Sequence, residues 1–299
     1  MRSSHSWFIR GALLALLSYA PGSAVWAGEG PYFVTYTHQM EEPGNLEFAV
    51  NGVTASAGGN PFLAGASEFE YGVLGWWTTE FYLDGQTTAN QSTLFTGFRW
   101  ENRLRMLPAE HWINPVLYVE FEDINGADKT LLEVVGHDGK QDLAVPNSVA
   151  RLELQRELET KLILGSYVKG WTIAENIIFE KNLAHAPWEF GYSVGASRPL
   201  ALRARPERCT LCAENWQLGI EAYGGLGTTQ QFGFKNTSQY IAPTVQWQLP
   251  AGPTLKFSVG AGLTSQSLPV LFRVGVSYEV AQFGNAINGL LRGNKENSR

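Results

Sequence analysis

The feature that most constrains this chain is a series of short segments, spread over residues 45–280, in which apolar and polar residues alternate. In residues 78–84, Thr79, Phe81 and Leu83 fall on one side, and Thr78, Glu80, Tyr82 and Asp84 on the other. Residues 94–104 repeat the pattern, with Leu94, Phe98, Trp100 and Leu104 opposed to Arg99, Glu101 and Arg103. A strand alternates faces with period two, so each segment makes one greasy and one polar surface. Here the polar faces carry mainly acids and amides, the apolar faces are rich in aromatics, and an export signal precedes them. The combination predicts an all-β fold: a transmembrane, antiparallel up-and-down β-barrel of about 12 strands (range about 10–14), with a polar lumen and a lipid-facing exterior. A soluble secreted β-sandwich is the alternative, because alternation alone does not demand lipid.

The export signal occupies residues 1–27. Arg2 and Arg10 give a positive start, residues 11–17 an apolar run, and Ser23-Ala-Val-Trp-Ala27 a small-residue cleavage site, with cleavage expected after Ala27. The apolar run is too short for a membrane anchor. No later stretch reaches the length of a spanning helix, so a mature membrane protein of this sequence has to be a barrel. The expected organisation is a signal peptide (1–27), a periplasmic lead-in or interior plug (28–44), the barrel (45–280) and a C-terminal periplasmic tail (281–299). A net charge of −6 argues against nucleic acid as a partner. A mean hydropathy of −0.13 fits a barrel, in which only alternate residues meet lipid.

Twelve strands are expected: residues 45–55, 67–74, 76–85, 94–105, 115–123, 157–165, 171–181, 188–196, 216–224, 244–249, 254–263 and 270–280. The tight connections, at Gly75, residues 166–170 and residues 250–253, all fall at even positions in the series. With both termini in the periplasm, the even connections are the periplasmic turns, which are normally short. The connection over residues 56–66 is expected to be long, and that over 124–156 very long. A spanning strand over residues 31–38 would reverse this phase.

Parity then assigns the lumen. Its candidate lining residues are Glu68, Glu70, Glu80, Arg99, Glu101, Arg103, Glu120, Glu122, Asn176, Glu180, Arg273 and Glu279, with Glu47, Asp84, Tyr118, Glu159, Lys161, Glu189, Glu221, Gln246 and Lys256 on the same face. Acidic groups outnumber basic ones. One reading is an aqueous, acid-lined passage for cations or small polar solutes. The other is a filled lumen in which the arginines pair with the glutamates. Glu175 falls on the apolar face and marks a bulge or an interfacial position.

Cys209-Thr-Leu-Cys212 suits a local disulfide in an exported protein, with free or redox thiols and a metal site as alternatives. Ala213 follows, so the haem-attachment pattern is absent, and no His lies nearby to complete a zinc site. His38, His111, His137 and His185 fall in connections or the lead-in, none beside a Ser and a third orienting group. The expectation is a protein that is not an enzyme, with no cofactor and no metal; an outer-membrane enzyme with its site in a loop is a further alternative.

The last strand carries a family resemblance. Val274-Gly-Val-Ser-Tyr-Glu-Val280 resembles the C-terminal targeting signal of bacterial outer-membrane β-barrels, with Tyr278 third from its end, Val280 where those proteins carry an aromatic, and residues 281–299 continuing past it. The stretches over residues 40–47 and 111–118 are similar to uncharacterised outer-membrane proteins. The resemblance implies a location in the outer membrane of a Gram-negative-type bacterium. The expected partners are outer-membrane lipid, the barrel assembly machinery and small polar solutes.

Overall fold

The computed structural model describes residues 30–56, 59–130, 135–136, 143, 145–184, 187–203 and 209–287. The expected signal peptide, the tail beyond residue 287, His137 and His185 lie outside them. Twelve strands follow in chain order: β1 Leu46–Ser56, β2 Phe62–Leu74, β3 Trp77–Thr88, β4 Thr93–Arg105, β5 Asn114–Asn125, β6 Leu154–Val168, β7 Trp171–Asn182, β8 Glu189–Pro199, β9 Trp216–Thr228, β10 Gln239–Gln248, β11 Thr254–Gly262 and β12 Val270–Val280. Each pairs antiparallel with its neighbours, and β12 closes the ring on β1 from Leu46↔Val280 to Ser56↔Val270. Closure leaves no unpaired edge, which is what a sheet in hydrocarbon requires.

The alternation becomes an inside and an outside. β7 runs exposed Trp171, Ile173, Ile177 and Phe179 against buried Thr172, Ala174, Asn176, Ile178 and Glu180. The exterior is apolar around the barrel, with Phe48, Phe69, Phe81, Trp100, Leu117, Val194, Ile220, Phe257, Phe272 and Val276 all exposed. Trp76, Trp112, Tyr167 and Trp171 stand exposed at the end of the barrel where β1 begins and β12 finishes, and Trp216 stacks on Trp247 at 4.9 Å there. Amphipathic aromatics at that level form an interfacial girdle. This proximal end also holds the tight turns. The β6–β7 hairpin turns on Lys169 and Gly170, both at positive φ, the geometry whose twist matches the flanking strands.

Several elements exceed their sequence reading. β2 begins at Phe62, so the β1–β2 connection is residues 57–61 and not the long loop expected over 56–66. The run Leu63-Ala-Gly-Ala66 has too few large side chains to reveal its alternation. β10 begins at Gln239 and continues through Pro243, which is paired with Ile220 of β9. On its other side the register with β11 skips from Ile241 to Thr244, around the residue that has no N–H to donate. Glu175 points outward near the proximal end in unbroken register with Leu164 and Val194, so no bulge accounts for it.

The barrel is not hollow. Residues 30–45 enter at the proximal end beside β7–β9, rise into the lumen, cross it and return to start β1. At the distal end the interior between β9–β12 and β1–β2 is filled by Val53, Phe62, Ala64, Tyr223, Tyr240, Ala242, Leu268 and Leu271, with Leu143 from the long distal loop packed on them.

Candidate functional site: a glutamate ladder on the inner wall

The strand registers align acidic residues that are far apart in sequence. Glu279 of β12 lies opposite Glu47 of β1, which lies opposite Glu70 of β2, and the series continues through Glu80, Glu101, Glu120, Glu159, Glu180 and Glu189 of β8. Nine consecutive strands thus each place one glutamate in a single cross-strand row. Glu279 and Glu47 sit one residue from the proximal ends of their strands, Glu120 sits in mid-strand, and Glu189 opens its strand at the distal end. Barrel strands tilt, so a row in register climbs the wall as a helix and traverses the lumen from end to end.

Like charges directly opposite one another on a sheet are destabilising. The neighbouring rows supply cations to offset this. Arg103, fully buried, donates to Glu70 and Glu80 and places its Nε 3.2 Å from Glu101. Arg99 grips Asp84 with Nε and Nη2 at 3.0 and 3.3 Å and reaches Glu120 with Nη1 at 3.4 Å. Lys161 lies 2.8 Å from Glu159, with its ammonium over the rings of Tyr118 at 4.1 Å and Tyr36 at 4.5 Å. Glu68, Glu122, Asp84 and Tyr82 complete this charged wall, and the Tyr82 hydroxyl donates to Glu80. Two groups of three carboxylates come close enough to share one cation: Glu68, Glu70 and Glu80, and Glu120, Glu122 and Glu159.

The other wall, β8–β12, is lined mostly by small residues and receives residues 30–36. A Cβ added to Gly195 would lie 2.7 Å from the ring of Tyr32, and one on Gly219 would lie 2.9 Å from Pro31. Backbone N–H groups of Phe33, Val34 and Thr35 all donate to the Glu221 carboxylate, at 3.2, 3.1 and 3.0 Å. Asn176 holds Tyr36 from both sides, accepting its N–H at 2.7 Å and donating to its carbonyl at 2.9 Å. The Tyr36 hydroxyl then crosses to the charged wall and donates to Glu101 at 3.0 Å. A cavity of about 150 Å³ remains between this segment and the ladder.

Among the sequence-derived candidates, Glu68, Glu70, Glu80, Arg99, Glu101, Arg103, Glu120, Glu122 and Glu180 therefore lie together on the charged wall. Asn176 and Arg273 face the N-terminal segment, Arg273 within the field of Glu221. Glu279 sits at the proximal mouth and accepts a hydrogen bond from Asn45. Beside it, Glu41 is buried, and its carboxyl is pushed up to about 8, by loss of water first and by the charges of Glu279 and Glu47 second. Cys209 and Cys212 are bonded to each other in the proximal β8–β9 connection, away from the lumen groups. His38 pairs with Glu110 at 2.8 Å, and the backbone N–H of His111 donates to the Asn114 side chain at 2.7 Å. Parity placed Glu221 on the inner face, but nothing in the sequence marked it as the anchor of residues 33–35.

A closed antiparallel barrel with an apolar exterior and a charged interior defines a membrane-spanning β-barrel protein. The sequence matches no protein-family model and no curated protein. Its backbone is similar to an outer membrane channel from Pseudomonas putida F1 (TM-score 0.47, 11% identity, covering 81% of this chain and 97% of that one). It is also similar to the NanC porin (TM-score 0.45, 9% identity, 78% and 100%). The KdgM porin, solved with an oligogalacturonate, gives a TM-score of 0.42 at 7% identity (78% and 98%).

Proposed function

We propose that this protein is an outer-membrane channel of porin-like type, passing small polar or cationic solutes along its acidic wall. The observation that carries the reading is the ladder from Glu279 to Glu189. A row of carboxylates that traverses the barrel is costly to fold, and a structural barrel would be more stable without it. Successive acidic groups give a cation a series of binding positions, each weak enough to leave because Arg99, Arg103 and Lys161 compete for the same oxygens. The proximal end, with the chain ends and the short turns, is then periplasmic, and the long loop between β5 and β6 covers the extracellular mouth. Residues 30–45 narrow the passage from below.

The test is single-channel recording of the refolded protein in a planar bilayer under a salt gradient. Cation-favouring steps are expected, and Glu120→Gln with Glu122→Gln should lower the cation preference; unchanged selectivity would remove these groups from the path. The seating of Tyr36 and the buried arginines favours a second reading, a filled barrel that presents its loops to a partner. Insertion without conductance, in the wild type and also after Glu221→Ala has freed the N-terminal segment, would select it.

A further inference from the structure

The two carboxylate groups on the charged wall differ in how they are satisfied. Between Glu70 and Glu80 lies the guanidinium of Arg103, already in the place a metal would take. Glu120, Glu122 and Glu159 have no such tenant. Their oxygens lie within 4.8 Å of one another, Lys161 sits to the side on Glu159, and Arg99 is divided between Asp84 and Glu120. Glu122 is only 2% exposed, and its Oε2 has no hydrogen-bond partner.

A second group points to the same place independently. Tyr118 is fully buried, its hydroxyl has no hydrogen-bond partner, and it lines the same cavity within the fields of Glu101, Glu120 and Glu159. Buried hydroxyls and carboxylate oxygens are normally satisfied, and each exception asks for an ion or a water that would complete it. Here a buried carboxylate oxygen and a buried phenol oxygen, from different side chains, are both open beside one acidic cluster.

We infer that Glu120, Glu122 and Glu159 form a binding site for one hard divalent cation, with Tyr118 supplying a neutral oxygen or a hydrogen bond to a coordinated water. The donor set is all oxygen, with no sulfur or imidazole, and this selects calcium or magnesium over zinc or copper. The cavity leaves room for the waters that complete the shell of either ion. Calcium, with six to eight ligands in adaptable geometry, suits carboxylates fixed on two neighbouring strands better than magnesium, which needs a near-ideal octahedron. The cation would add to the counter-charge that Glu122 receives from Arg99, whose hydrogen bonds go to Asp84 and Glu120. It would also join β5 to β6 in mid-wall. The site stands whether or not the lumen conducts.

The test is calorimetric titration of calcium chloride into the refolded protein in lipopolysaccharide-free detergent, at pH 8, after stripping with a chelator. One saturable site per chain is expected. Glu122→Gln should weaken it about tenfold or more, Tyr118→Phe by a smaller factor, and Glu175→Gln, which removes a charge from the outer face, not at all. A rise in melting temperature with calcium in the wild type, absent in Glu122→Gln, would agree by linkage. Absence of a saturable site in the wild type would overturn the inference and leave the cluster to a shared proton. So would equal binding by wild type and Glu122→Gln. The wild-type titration decides the matter even where a variant fails to fold.

Discussion

The two halves of the inner wall share one backbone and use it in opposite ways. From β2 to β7 the wall carries a row of glutamates held by three cations, and its side chains are large, charged and bonded to one another. From β8 to β12 it carries Ser193, Gly195, Ser197, Gly219, Thr244, Ser258 and Gly275, and its few charges serve a segment that comes from elsewhere in the chain. The charged half is bonded mainly within itself, with Tyr36 and the Gln39 carbonyl reaching it from the N-terminal segment, and is strained by like charges. The small-residue half is unstrained but incomplete, and residues 30–36 complete it. A barrel built this way has one wall suited to handling ions and one wall that holds a plug.

The largest effect should come from removing the cation at the centre of the charged wall. Arg103→Met would take the guanidinium charge away from Glu70, Glu80 and Glu101 in a site where all four side chains are buried. Breaking a buried ion pair from one side costs about 3–5 kcal/mol. Refolding yield and urea midpoint of the barrel are expected to fall sharply, and Arg103→Met with Glu80→Gln should recover part of the loss. A double variant no better than the single one would show that the ladder does not carry this strain.

Next comes the plug. Glu221→Ala removes the acceptor of three backbone N–H groups, and hydrogen bonds to a charged group are worth about 1.5–3 kcal/mol. The barrel itself should persist, since its closure does not use Glu221, while residues 30–45 become cleavable by added protease and conductance rises. Gly195→Val attacks the same seat by volume, because its side chain would enter the ring of Tyr32. It should mimic Glu221→Ala in protease sensitivity with a smaller change in melting temperature. If both variants leave the segment protected, the seat lies in the contacts of Tyr36 with Asn176 and Glu101 instead.

These predictions separate what alternation reveals from what it hides. Strand number and the inside–outside assignment follow from period two together with the turn lengths. Thus Glu80, Glu101 and Glu120 were each assignable to the inner face. Their alignment into one row was not, because register depends on the stagger between strands and on turns whose lengths the pattern leaves loose. Moving one strand by two residues keeps every side chain on its face and breaks the ladder. The plug was hidden for another reason. Gly195, Gly219 and Ser197 carry no local sign of what rests on them, and Glu221 is bonded to backbone groups, which no side-chain pattern records. The Glu122–Tyr118 pocket needed both register and burial to appear.

The effect that depends most on solution conditions lies where the two walls meet at the proximal mouth. Glu41 is buried between Glu279 and Glu47, and Thr78 fixes its backbone by accepting the Glu41 N–H at 3.2 Å. Its carboxyl titrates near 8 in the folded chain, against the ordinary 4.5 in the unfolded one. Between those values the folded state holds a proton that the unfolded state has lost, so stability falls as pH rises through that window and is flat above it. Glu41→Gln keeps the shape and removes the titration. It should therefore stabilise the protein above pH 8, leave it nearly unchanged below 4.5, and flatten the slope between. Chemical denaturation at about pH 4, 6 and 9 measures the three regimes. A slope that survives in Glu41→Gln would move the titrating group to the ladder's own proximal members, Glu47 and Glu279, and would make the charged wall, rather than the junction, the part of the barrel that senses pH.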